Sequence, residues 1–128
     1  MRIRSLDHLV LTVADIDATV RFYESLGMRR EVFEDGRVAL RFGDQKLNLH
    51  KAGAELAPHA AHPARGSADL CFLVDDLDEV ADSLSRSGVT VELGPVARTG
   101  ATAALMSLYI RDPDGNLVEL SETVELSS

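Results

Sequence analysis

Residues 9–20 read LVLTVADIDATV, and residues 70–81 read LCFLVDDLDEVA. A shift of 61 places lays Leu9 on Leu70, Val13 on Val74, Asp15 on Asp76, Asp17 on Asp78 and, further along, Gly27 on Gly88. An aspartate ahead of an apolar-periodic run caps a helix, and a glycine after the run ends one, so each match alone is commonplace. Their joint register with the flanking valines is not commonplace. Repetition at a fixed period marks one structural unit used twice.

Each copy opens as a strand and continues as a helix. The first strand is expected over residues 6–13, with His8, Val10 and Thr12 on one face and Leu9, Leu11 and Val13 on the other. Asp15 caps a helix whose stripe is Ile16, Val20, Tyr23 and Leu26, and Gly27 closes it. Strands follow at 30–33, 37–42 and 46–50, with turns at Asp35-Gly36 and Gly43-Asp44. In the second copy Asp76 and Glu79 have capping-box-like spacing, and Leu77, Val80, Ala81 and Leu84 form the apolar stripe. Its later strands are expected at 90–93, 105–111 and 117–121. The pattern is α+β: two tandem βαβββ modules, at about 1–52 and 67–122, joined by a connection at about 53–66 and followed by a tail at 123–128.

The last two strands meet at residues 108–120, LYIRDPDGNLVEL. Pro113 presets φ at a turn position, Gly115 accepts positive φ, and Asp112 and Asn116 can bond local backbone. After this hairpin Glu119 points opposite to Val118 and Leu120. A carboxylate inside an apolar strand either faces water on an edge or needs a partner, since an unpaired buried charge is costly.

The chain has 128 residues, 45% of them hydrophobic, enough for a packed core. Its net charge of −8 and pI near 4.8 argue against nucleic acid or an anionic membrane as partner. No apolar run approaches the ~18 residues of a spanning helix, and the N-terminal residues do not read as a signal peptide. Cys71 is the one cysteine, which excludes an intrachain disulfide, suits the cytoplasm, and reads as a small core residue within DLCFLV. The connecting stretch KAGAELAPHAAHPARGS contains His59 and His62, which read as solvated beside Pro63. Arg98-Thr99-Gly100 reads as a loop that either presents a guanidinium to an anion or is plain surface.

The segments LDHLVLTVADIDATVRFYESLGM and SLYIRDPDGNLVELSE resemble the two signature ends of the vicinal-oxygen-chelate superfamily, which includes glyoxalase I, methylmalonyl-CoA epimerase, thiol transferases, extradiol dioxygenases and bleomycin-binding proteins. FGDQKLNLH, GSADLCFLV and GPVARTG resemble its branch of bacterial virulence-protein homologues and glyoxalase-domain-containing protein 5. The resemblance implies a cup of sheet around one divalent metal ion (Zn, Ni, Mn or Fe), with ligands on the first and last strands of each module. It places His8, Asp69 and Glu119 at ligand positions, Asp69 standing where relatives usually have histidine. Asn48 stands where glyoxalase and epimerase relatives have glutamate, so either His50 substitutes from two residues away or the metal has three protein ligands. Glu119 is the candidate proton carrier, and Asn48, Arg98 and Tyr109 are candidate substrate contacts. The implied function is a metal-dependent enzyme acting on a small oxygen-chelating substrate, by lactoylglutathione-lyase-like isomerisation, thiol transfer or dioxygenation. The alternative is a non-catalytic drug- or metabolite-binding protein. A symmetric homodimer is expected in either case.

Overall fold

A computed structural model describes residues 1–125. The chain divides into two compact units, Met1–Ser67 and Ala68 onward, which we call modules one and two.

Module one runs β1 (His8–Val13), α1 (Ile16–Ser25), β2 (Arg29–Phe33), β3 (Arg37–Phe42) and β4 (Gln45–Lys51). Its four strands lie in the order β1-β4-β3-β2, with β1 parallel to β4 and the other pairs antiparallel. The Asp15 carboxylate accepts from the Ala18 amide at 3.0 Å, and the Thr19 hydroxyl donates to the Asp15 carbonyl at 2.9 Å. These bonds use groups that a helix start leaves over. Gly27, at φ 99°, turns the chain out of α1 where a side chain would be strained. Val20 and Tyr23 of α1 are buried with Leu11, Val13, Leu40, Leu47 and Leu49. Each such side chain contributes about 1.5–3 kcal/mol by leaving water.

Module two repeats the plan with β5 (Asp69–Leu73), α2 (Leu77–Arg86), β6 (Leu93–Thr99), β7 (Ala104–Arg111) and β8 (Leu117–Val124), in the sheet order β5-β8-β7-β6. Asp76 caps α2 by accepting from the Glu79 amide at 3.2 Å. Leu77 and Leu84 of the helix, Leu108 and Ile110 of β7, and Val118 and Leu120 of β8 are buried. The registers coincide under the repeat: Val10 pairs with Asn48 where Cys71 pairs with Glu119. An arginine–glutamate ion pair occurs in each module, Arg41 with Glu31 across β3 and β2 at 3.0 Å, and Arg111 of β7 with Glu92 just ahead of β6 at 3.1 Å.

The Asp112–Asn116 hairpin is tied by side chains. Asp112 Oδ1 accepts from the amides of Asp114 and Asn116, both at 2.9 Å, and Asn116 Nδ2 donates to Asp112 Oδ2 at 2.8 Å. Asn116 Oδ1 then accepts from the Ala68 amide at 2.9 Å, fixing the entry to β5.

Three expectations need correction. The strand expected at 90–93 is instead β6, Leu93–Thr99, so Arg98 lies on a strand and not in a loop. Gly94-Pro95 reads as a breaker, but β6 is an edge strand, where a residue without an N–H is tolerated at the register shift between Leu93 and Val96. A Cβ at Gly94 would collide with the Ser107 carbonyl, so the close approach of β7 requires glycine there. Cys71 is exposed rather than a core residue, because the alternation of β5 places it on the face opposite Leu70 and Phe72. The expected tail is strand as far as Val124, and residues 126–128 lie outside the described ones. No helix among the described residues is long and apolar enough to cross a membrane.

Candidate functional site

Each sheet buries one face under its helix and turns the other away, and the candidate residues sit on that second face. In module two β8 presents Glu119 there, flanked by Cys71 on β5 and Tyr109 on β7. Glu119 is half-buried, and its Oε2 accepts from Ser107 Oγ at 2.7 Å and from Ser121 Oγ at 3.1 Å. The two serine hydroxyls, both on fully buried residues, also lie 2.6 Å apart. Cys71 Sγ joins this group at 3.3 Å from Ser121 Oγ. Burial, followed by the charge of Glu119, pushes the thiol pKa up, with the Ser121 contact pulling the other way, so Cys71 stays protonated at neutral pH. One oxygen of Glu119 is thereby pinned, both serine bonds going to Oε2 and neither to Oε1. A cavity of about 380 Å³ opens beside it, lined by Cys71, Leu73, Thr99, Leu105, Glu119 and Thr123 among others.

Arg98 lies on the same face as Glu119, through the pairing of Leu105 with both Arg98 and Thr123. Its Nε donates to Tyr109 Oη at 2.9 Å, and its guanidinium carbon is 5.4 Å from the centre of that ring. Asp69 is exposed at the start of β5, opposite Leu117 and so one diagonal step from Glu119.

In module one the equivalent diagonal joins His8, opposite Lys46, to Asn48, opposite Val10. His8 Nδ1 is 2.8 Å from Asp7 Oδ2, and this contact holds the Asp7 carboxyl below its ordinary range. A carboxylate on one ring nitrogen fixes the tautomer and leaves Nε2 available as a ligand. Asn48 is 5% exposed, and its Oδ1 has no hydrogen-bond partner. His50 pairs with Thr12, four residues along the strand from His8, or roughly 13 Å at the usual rise of a strand. The sheet thus brings His8 to Asn48 and not to His50. Two imidazoles at that spacing do not share one ion through bonds of about 2.0–2.1 Å.

Each module thus sets two candidate donors on one diagonal of its own sheet, His8 with Asn48 in module one and Asp69 with Glu119 in module two. The residue types suit a divalent ion: an imidazole, an orphaned amide oxygen, and a carboxylate with one oxygen pinned by serines. No group of three or more His, Cys, Asp and Glu among the described residues stands together as a ready metal site. Sequence reasoning missed Ser107 and Ser121. Their signal is a polar residue two places from Tyr109 and from Glu119, on the same face of otherwise apolar strands.

Comparison with known proteins adds to this geometry. The family described as the Glyoxalase/Bleomycin resistance protein/Dioxygenase superfamily matches residues 5–120. The chain is 51% identical over 126 residues to a virulence protein of Salmonella typhimurium, covering 97% of this chain and 88% of that one. The crystal structure of that protein superposes with a TM-score of 0.95, covering 97% of this chain and all of the other. A glyoxalase domain-containing protein of Mycosarcoma maydis is 50% identical over 122 residues, covering 94% of this chain and 69% of its own. More distant is the crystal structure of lactoylglutathione lyase from Agrobacterium tumefaciens, 28% identical with a TM-score of 0.72, covering 94% and 95% of the two chains.

Proposed function

The chain belongs to the glyoxalase/bleomycin resistance protein/dioxygenase superfamily, and we propose that within it the protein is a divalent-metal-dependent enzyme acting on a small oxygen-bearing substrate by lactoylglutathione-lyase-like isomerisation. The observation that carries this reading is Glu119, a half-buried carboxylate beside a cavity with one oxygen anchored by two buried serines. The proposed donors are His8 and Asn48 from module one with Asp69 and Glu119 from module two. A divalent cation held by such donors would supply Lewis acidity to a substrate oxygen.

The protein's own groups do the rest. Isomerisation of this kind moves one proton between adjacent carbons and one between their oxygens. Glu119 is the base that takes the carbon-bound proton and the acid that returns it, while the substrate hydroxyl's proton passes to the former carbonyl oxygen. Ser107 and Ser121 keep the carboxylate from rotating away, so the proton is collected and delivered at one place. Arg98, its guanidinium steadied by Tyr109, meets an anionic group of the substrate at the edge of the same face. Arg98→Ala is expected to raise KM for an acidic substrate more than it lowers kcat.

Metal analysis of the purified protein, followed by turnover assays on a panel of thiol adducts and catechols, tests the reading. Stoichiometric metal with turnover of a hemithioacetal supports it. A metal-free protein that binds an apolar compound without turnover favours the sequestration reading instead, for which Asn48 speaks, being neutral where Glu119 is charged.

We also propose that the protein is a homodimer. Leu73 and Val10, on the edge strands β5 and β1, are 65% and 41% exposed. A single species at monomer mass in light scattering at micromolar concentration counts against it.

A further inference from the structure

We infer that module one carries a second small-molecule site, a pocket for a short aliphatic monocarboxylic acid, built by Arg37 and His50 over an apolar floor. A cavity of about 210 Å³ lies within this module, with Ile16, Leu49 and Leu56 on its apolar side and Arg37, His50 and Lys51 on its polar side. The pairing of Val38 with Leu49 in antiparallel register sets Arg37, the first residue of β3, across from His50.

His50 is the reason to look for a ligand. It is 7% exposed, yet its Nε2 has no hydrogen-bond partner. Buried polar atoms in folded proteins are nearly always satisfied, so an orphan lining a cavity marks where an external group belongs. In a neutral ring with its proton on Nε2, that atom has one hydrogen bond to donate and no partner among the described residues to take it. A carboxylate accepts that bond with one oxygen and a guanidinium bond with the other, so a single group answers both residues.

Arg37 is available for this. Its present partner is Glu34, a 74% exposed side chain 3.3 Å away, a solvent-facing contact that a buried ligand displaces readily. Packing of its guanidinium 4.8 Å from the centre of the Phe33 ring limits its orientations. Glu34, Asp35 and Glu55 also stand around this site, so the carboxylate is held by the paired donors Arg37 and His50 and not by a general positive field.

The remaining walls narrow the class. Ile16, Leu49 and Leu56 offer no polar atom beyond backbone, which suits an alkyl chain rather than a sugar or an inorganic ion. Asp35 also lines the cavity and disfavours a second carboxylate. The volume is below that of drug-sized pockets, which limits the acid to roughly four to six carbons.

The test is titration of the protein with sodium 3-methylbutanoate, followed by calorimetry and by the His50 ring resonances in NMR. Inorganic phosphate and glutarate serve as comparison probes. Saturable binding at one per chain is expected, with both comparison probes at least tenfold weaker. Arg37→Gln is expected to weaken binding at least tenfold, and Leu56→Ser, at a half-exposed position that folding tolerates, severalfold. Glu119→Gln, which disables the site proposed in module two, leaves this binding unchanged. Absence of saturable binding, equal affinity for phosphate, or wild-type affinity in Leu56→Ser overturns the proposal. So does loss of binding in Glu119→Gln, which would place the acid in module two.

Discussion

Where module two carries Glu119, module one carries Asn48, and where module two carries Ser107 and Ser121, module one carries Arg37 and His50. The backbones agree in register down to the diagonal step from first strand to last, yet the polar faces differ in kind. Module two closes its network within itself, with serine hydroxyls and a thiol gathered around one carboxylate. Module one leaves Asn48 Oδ1 and His50 Nε2 without partners. A shared scaffold fixes where a side chain stands, and the residue placed there decides whether the position is complete or waits for something else.

The largest effect that this contrast predicts is from Glu119→Ala. Stoichiometric metal and turnover should vanish together, while the urea unfolding midpoint reports a stability change within about 1 kcal/mol, because the two serines retain each other. Retention of metal by this variant would remove Glu119 from the proposed donor set.

The reverse experiment is Asn48→Glu, which makes module one's position match module two's. Metal affinity in calorimetric titration should rise at least tenfold. Metal-free stability should fall by several kcal/mol, about 3–5, because the new carboxylate is buried without the serines that serve Glu119. Unchanged affinity would mean that position 48 does not face the metal.

Ser107→Ala comes next. Removing a buried donor at 2.7 Å from a carboxylate should cost about 1–3 kcal/mol in chemical denaturation. In a double-mutant cycle with Ser121→Ala the two losses should not add, since both hydroxyls serve the same oxygen.

The smallest effect is a pH dependence. The folded-state pKa of His50 lies below the ordinary value of 6.5, through burial first and Arg37 second. Between the folded pKa and 6.5 the unfolded chain binds more protons, so stability rises with pH across that window and is lost as pH falls through it. Urea midpoints from pH 5 to 7.5 should show this slope in the wild type, and His50→Gln should flatten it. Nothing equivalent should arise at Ser121, its counterpart in module two.

Much of this was legible in the chain. The aligned aspartates and glycines gave both caps and both helix ends, and DPDGN gave the last hairpin, because each is a local signal with a local cause. The place of β6 was not legible. Gly94-Pro95 reads as a stop, and only the sheet reveals that this strand is an edge. Nor was the exposure of Cys71, since a short run such as DLCFLV does not say which of its faces is covered. At the site, Asn48 and His50 both lie on the polar face of β4, as their spacing says. That His8 belongs with the first and not the second is a matter of register between strands 40 residues apart, which no local pattern encodes.

The pairing of first strand with last has a consequence for synthesis. Among the described residues β5 has β8 as its only neighbour in the sheet, and Asn116 holds the residue just before β5. A nascent chain that has emerged as far as α2 therefore exposes β5 with no partner, and keeps it so until residues 117–124 leave the ribosome. Module one passes through the same interval earlier, with β1 unpaired until β4 is out. A ribosome paused between α2 and β8 would thus hold one finished module beside one unpaired strand, the state in which a chaperone or a neighbouring nascent chain has its best opportunity.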